Sequence, residues 1–208
     1  MNVPRPALPP TALMPSLLWT LERYYRAINT GVFTEKDKLE LLYGIIVELM
    51  PAGSPHEECV SLLSEFFRDR LGGEYRYREE KSIALPDTSS VPEPDFVVVA
   101  KQSYGQQPPQ PVDIYFVAEV ANTSLARDRT VKVQLYAQAE LAEYWIINLV
   151  DRQIEVHLNP NAAQLRYGSV TTYAEADTFS SPFAGEVVVS ELLPAAPPPP
   201  PVESAEEE

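Results

Sequence analysis

Apolar residues along this chain recur first at helical spacing, then in short runs, and the two patterns keep exchanging. Leu17, Leu18, Leu21, Tyr24, Tyr25 and Ile28 repeat every three or four residues, predicting a helix from Ser16 that ends at Asn29-Thr30-Gly31. Residues 39–43 and 45–50 flank Gly44 as two tightly joined strands. A second helix is expected to start with Ser54 as N-cap, Pro55 in the first helical position and Glu57 completing a capping box. Cys59, Leu63, Phe66, Phe67 and Leu71 form its buried stripe, and Gly72-Gly73 stops it. Short strands are expected near 75–78 and 82–85, then at 96–100 and 114–118, the last two joined by the Gln/Pro-rich loop 103–111. A third helix over about 123–140 precedes strands at 143–149, 153–158 and near 164–172.

Two carboxylates interrupt this pattern at telling places. Asp95 opens the apolar run 96–100, and Glu119 closes the run 114–118. Strict alternation puts Glu119 on one face with Tyr115 and Val117, and Ile114, Phe116 and Ala118 on the other, so the strand reads as central and covered on both sides. An ionised carboxylate there needs a cation, a metal or a proton. The third helix brings Asp128, Lys132 and Tyr136 to one face at i, i+4 and i+8, and its first half folds back over the end of the Glu119 strand. Two acids at adjacent strand ends can hold a hard divalent cation, and a nearby ammonium can stabilise charge on an attacked phosphate. The residues alone equally allow a strand-entry Asp beside a Glu119–Lys132 ion pair, or an Asp128–Lys132 pair at the surface.

The chain's 208 residues suit one ordinary domain, and its hydrophobic fraction of 45% supports a full core. Prolines cluster at residues 1–15 and 194–201, marking an extended arm and, with Glu203 and Glu206 to Glu208, a Pro/Glu-rich disordered tail over 194–208 around a domain of 16–193. A net charge of −14 argues against broad, non-specific binding to nucleic acid, though not against a locally compensated site. Arg68, Arg70, Arg76, Arg78 and Lys81 form one basic neighbourhood, and Arg127, Arg129 and Lys132 another; interspersed acids also allow both to be plain solvated surface. The single Cys59 excludes an internal disulfide or a cysteine zinc cluster and reads as a core residue. His56 reads as structural, His157 as solvent-facing, and Trp19 and Trp145 as core aromatics. No apolar run approaches ~18 residues, so a soluble, cytoplasmic protein without membrane contact is expected.

Several of these segments together resemble the Uma-type restriction endonuclease family. The resemblance is carried by Glu119-Val-Ala-Asn-Thr-Ser-Leu-Ala-Arg-Asp-Arg-Thr-Val-Lys132, by Tyr136-Ala137 and Glu143-Tyr-Trp-Ile-Ile147, by Pro92-Glu-Pro-Asp95, and by Glu40-Leu-Leu-Tyr-Gly44 with Met50-Pro51 and His56. It implies the fold of the PD-(D/E)xK nuclease superfamily: a restriction-endonuclease-like α/β domain with a mixed β-sheet core flanked by helices. It also implies Mg²⁺-dependent phosphodiester cleavage, with Mn²⁺ as a substitute. Asp95 then matches the acid of the "PD" half and Glu119 that of the "(D/E)xK" half. Ala121 stands where the superfamily's lysine would be, and Lys132 on the following helix takes that role. Glu40 matches a recurrent upstream acid that completes the site. Tyr43, Glu140 and Asn148 depart from the family's usual Asp, Gly and Asp.

The expected function is therefore a metal-dependent endonuclease acting on nucleic acid, with DNA as the first expectation, Asp95 and Glu119 as metal ligands and Lys132 and Glu40 completing the catalytic set. Cutting both strands with a one-site fold calls for two copies, so a homodimer is expected. The alternative is a catalytically inactive nuclease-fold module for nucleic-acid or protein interaction, favoured by the acidic charge. A metallohydrolase of another class lacks the histidines it would need.

Overall fold

The computed structural model describes residues 17–196 apart from 35, 50 and 106; the predicted arm (1–15) and most of the predicted tail lie outside these residues. A six-stranded mixed sheet forms the centre, in the order β3 (Tyr75–Glu79), β4 (Phe96–Ala100), β5 (Ile114–Ala121), β6 (Glu143–Asn148), β7 (Gln153–Asn161) and β8 (Arg166–Ala174). Only β5 and β6 run parallel; the other neighbours are antiparallel. A parallel pair needs a crossover, supplied here by the helical segments α3 (Leu125–Arg127) and α4 (Val133–Gln138) with a π turn, Asp128–Lys132, between them. Two hairpins flank the sheet, β1 (Leu39–Leu42) with β2 (Ile45–Glu48), and β9 (Thr178–Ser181) with β10 (Gly185–Val188).

Each face of the sheet has its own core. Phe96, Val98, Phe116, Ala118, Val120 and Trp145 pack against Cys59, Leu63 and Phe67 of α2 (Ser54–Leu71) and against Val187 and Leu192. Val97, Val99, Val117, Ala121 and Ile146 pack against Leu135, Tyr136 and Ala137 of α4. A smaller cluster sets Tyr24 of α1 (Leu21–Asn29) on Leu41 and Val91, which fastens the first hairpin beside the sheet.

Several local expectations change, each for a visible reason. The first helix starts at Leu21, because Trp19 N–H donates to Gly44 O and Thr20 caps Arg23 N–H with its hydroxyl; Leu17 and Leu18 stay exposed. In α2 the cap is Gly53, whose carbonyl accepts from both His56 N and Glu57 N, so the Ser54 capping box does not form. Residues 82–85 are not a strand in the sheet: Ile83 and Ala84 donate to the carbonyls of Pro92 and Pro109, which return no N–H for a ladder. A bulge in the β4–β5 pairing breaks the alternation of β5, placing Ile114 with Val117 on the α4 side and Tyr115 beside Tyr75 and Phe183. The β9–β10 hairpin was not anticipated, since it offers only one buried apolar residue per strand, Phe179 and Val187.

Tyr43 and Gly44 both have positive φ (50° and 75°), the geometry of a tight hairpin turn. A Cβ on Gly44 would come within 2.9 Å of Leu18 Cβ and Trp19 O, whereas one on Gly31 (φ 73°) would meet nothing within 4 Å. Gly31→Ala should therefore cost about 1 kcal/mol and Gly44→Ala roughly two to three times as much in urea unfolding, the excess reporting the clash.

Candidate active site

Asp95 lies just before β4, and the register that pairs Phe96 with Ala118 sets it next to Glu119 on the neighbouring strand. Its Oδ2 accepts Val120 N–H at 2.6 Å, which ties the carboxylate to the backbone beside Glu119. Its Oδ1 is 3.1 Å from His56 Nε2 in the first turn of α2. The Asp95 hydrogen bond raises the pKa of His56 above the ordinary imidazole value despite its burial.

Glu119 is 4% exposed and accepts two hydrogen bonds on Oε1, from Lys132 Nζ at 3.0 Å and Tyr136 OH at 2.5 Å. Among the described residues no donor is aimed at Oε2. Lys132, 2% exposed, also reaches Glu40 Oε2 at 2.8 Å. Glu40, fully buried on β1, accepts Glu93 N–H on the same oxygen at 3.3 Å; its Oε1 has no hydrogen-bond partner, the Arg127 guanidinium standing 3.8 Å away. The three acids and the lysine singled out in the sequence thus come together at one end of the sheet. Lys132 pairs with Glu119 and Glu40, and Asp128 is held instead by the Ser124 hydroxyl at 2.6 Å.

The charges at this site act on one another at short range. Burial pushes Glu119 up to about 8, the ammonium of Lys132 pulling it down and Asp95, Asp128 and Glu40 pushing it further up. Burial would lower Lys132, but Glu119 and Glu40 outweigh it and hold the ammonium well above its ordinary value. These shifts are compatible because one ammonium faces several acids: it stays charged, and a surplus carboxyl carries the burial penalty as a proton. Asp128 is raised to about 6, chiefly by burial.

Two contributors escaped the sequence reading. His56 was set aside as a lone histidine, and only the fold brings it to Asp95. Tyr136 was placed on the helix face with Lys132, and that spacing of four was the available signal for its contact with Glu119. His157 is not solvent-facing. It is 4% exposed, between the rings of Tyr144 and Tyr167, and among the described residues neither ring nitrogen has a hydrogen-bond partner, Glu155 Oε2 standing 4.0 Å from Nε2. Its neighbour Glu155 is taken by Arg129 in hydrogen bonds of 2.5 and 2.9 Å.

Among the described residues no three His, Cys, Asp or Glu side chains are grouped as a chelating set. Protein ligation of an ion thus rests on Asp95 and the open oxygen of Glu119. That sparse set suits Mg²⁺, which keeps waters or phosphate oxygens and takes only one or two carboxylates. Among the described residues no helix is long and apolar enough to cross a membrane.

A mixed sheet flanked by helices, with acids at adjacent strand ends and a lysine from the crossover helix, has the architecture of a nuclease fold. A solved structure, that of a "putative nuclease belonging to DUF820" from Anabaena variabilis, superposes with a TM-score of 0.63 at 13% identity, covering 83% of this chain and 96% of that one. The family Uma2, described as "Putative restriction endonuclease", matches residues 21–190, and the chain belongs to that family. No curated protein matches the sequence.

Two outcomes follow from the buried charges. Lys132→Met leaves Glu119 and Glu40 without their counter-charge and should lower stability by about 3–5 kcal/mol at pH 7. Glu119→Gln leaves Lys132 paired with Glu40 and should cost clearly less; urea unfolding of both variants checks the order. For His157, burial lowers the folded pKa to about 4, below the ordinary 6.5, against the pull of Glu155 and alongside the push of Arg129. A depressed histidine contributes stability in full above pH 6.5, lost as pH falls towards 4. Between pH 7 and pH 5 the wild type should lose about 2 kcal/mol more than His157→Phe, measured by the same unfolding.

Proposed function

We propose that this protein is a Mg²⁺-dependent endonuclease that hydrolyses phosphodiester bonds of nucleic acid, DNA in the first instance, in the cytoplasm. The observation that carries the reading is the buried Lys132 ammonium, held between Glu119 and Glu40 at the strand end where Asp95 is anchored. Nothing in a bare structural core requires a cation and three acids there, and burying them is costly unless they are used.

Asp95 and Glu119 would hold the ion, which when bound polarises the scissile phosphate and lowers the pKa of an attacking water. The remaining work falls to the chain. Val120 N–H and His56 fix the Asp95 carboxylate, and Tyr136 fixes Glu119. The ammonium of Lys132 stabilises negative charge that grows on the phosphate, in a pocket sheltered from water where such a charge acts strongly. Glu40 positions that ammonium.

A specific observation favours a second reading, a nuclease-fold module without catalysis: each acid already has a partner inside the protein, the His56 ring for Asp95 and the Lys132 ammonium for Glu119 and Glu40. Cleavage of plasmid and of single-stranded DNA with and without Mg²⁺, paired with calorimetry, separates the two. The proposal expects Mg²⁺ binding and cleavage of nucleic acid by the wild type, both lost in Asp95→Ala and Glu119→Ala. Lys132→Arg, chosen to retain a cation between the acids, should still bind Mg²⁺ while cleaving at least about ten-fold more slowly. Absence of both Mg²⁺ and Mn²⁺ binding by the wild type would instead select the non-catalytic module.

A further inference from the structure

The chain carries 30 acidic against 16 basic residues, so cations without partners stand out on its surface. Arg76 and Arg78 alternate along β3, the edge strand of the sheet. Lys81 follows one end of β3, and Lys101 lies beside Gly73 at the other. With Arg68, Tyr75 and Tyr77 they line an open cleft of about 830 Å³. Arg68 is committed to Glu79, but among the described residues Arg76, Arg78, Lys81 and Lys101 enter no ion pair. Arg78 is half-buried over the Tyr104 ring and donates from Nη2 to Ser82 O at 3.4 Å; among the described residues its Nε has no partner, and burial and the nearby Arg76 work against its charge while Tyr104 supports it.

The row has a direction. Pairing of β3 with β4 sets Tyr75 opposite Ala100 and Glu79 opposite Phe96, so the strand runs from Lys101 towards Asp95. Beyond it, Glu80 N–H donates to Asp95 O at 3.0 Å. Five strand residues span roughly 16 Å, the length of a few nucleotides of backbone. We propose that this edge of the sheet binds the sugar–phosphate backbone of a single nucleic-acid strand and leads it to Asp95 and Glu119. The proposal rests on the nuclease reading above and names the form of its substrate. A single strand fits because the row is one cation wide and has Glu74, Glu79 and Glu80 close by. The second phosphate row of a duplex would meet those acids and a strongly negative body. Tyr75 and Tyr77 also line the cleft, but their rings pack on Tyr115 and Phe183 and on Phe96 and Arg68, so recognition rests on the phosphates.

The test measures binding without cleavage: fluorescence anisotropy of the full chain in EDTA with a labelled single-stranded DNA oligonucleotide. Four neutralised phosphates imply a log–log salt slope of about −3, or roughly 50-fold weaker binding at 200 than at 50 mM salt. The double variant Arg76→Gln/Arg78→Gln should halve that slope and weaken binding at least about ten-fold at low salt. Lys81→Gln/Lys101→Gln changes only exposed side chains, so it should do the same without touching the core. Unchanged binding in both double variants overturns the proposal, as does tighter binding of a duplex of the same sequence. Edge cations can also serve only to keep a second copy from pairing with β3. In that case the variants self-associate while still binding the strand, which again overturns it. Because no metal is present, strand binding that depends on these cations in a protein that never cleaves would remove the nuclease reading and leave this surface standing. Cleavage by variants with unaltered binding would do the reverse.

Discussion

One ammonium, Lys132, sealed from water between Glu119 and Glu40, sets the terms for the rest of the molecule. An ion in that position is tolerable only with its partners in place. The ammonium and its two partners come from three separate pieces: the helical crossover that carries Lys132, β1, which lies outside the main sheet, and β5 at its centre. The first hairpin shares no ladder with the six strands; it is fastened by a two-residue bridge at Val91, the Tyr24 cluster and this charge. The site is therefore also a seam, and its chemistry and its architecture draw on the same contacts.

The same device recurs elsewhere in the sheet. Glu143, buried at the start of β6, accepts from Trp145 Nε1, Ser181 Oγ and Phe183 N, and so holds the β9–β10 hairpin against the α2 side. Glu155 is held by Arg129 on the α4 side. An acidic chain faces a steady problem of where carboxylates go on folding. Here several go inward, each satisfied by donors from a distant segment, which converts a desolvation penalty into long-range specificity.

Much of this was legible in the sequence because it depends on local pattern. The strand runs ending at Ala100 and Ala118, the acids at their ends and the spacing of Lys132 on a helix are all readable from neighbours in the chain. Glu40 came only from the family resemblance; its own surroundings, alternating apolar residues in a hairpin, gave no reason to expect a buried charge. His56 and His157 were misjudged because what surrounds a histidine is decided by elements far away in sequence. The bulge at Tyr115 was invisible for a related reason, since alternation assumes an unbroken ladder and the break depends on the partner strand. Residues 82–85 have strand composition, but Ile83 and Ala84 meet only proline carbonyls and Leu85 makes a single bridge to Ser90, so no ladder forms.

The π turn at Asp128–Lys132 has a consequence for how this protein can vary. Towards its N-terminal end, Ser124, Asp128 and Arg129 are set by contacts within the segment and with Glu155; towards its C-terminal end, Lys132 and Tyr136 are set by Glu119. The wide turn is the place where these two registers are reconciled. Removing one residue there would let the helix close into regular turns and rotate one set of side chains off its strand, and adding one would do the same in the opposite sense. Apart from Asp128, Arg129 and Lys132, whose side chains make these contacts, this stretch should therefore accept changes of residue type far more readily than changes of length.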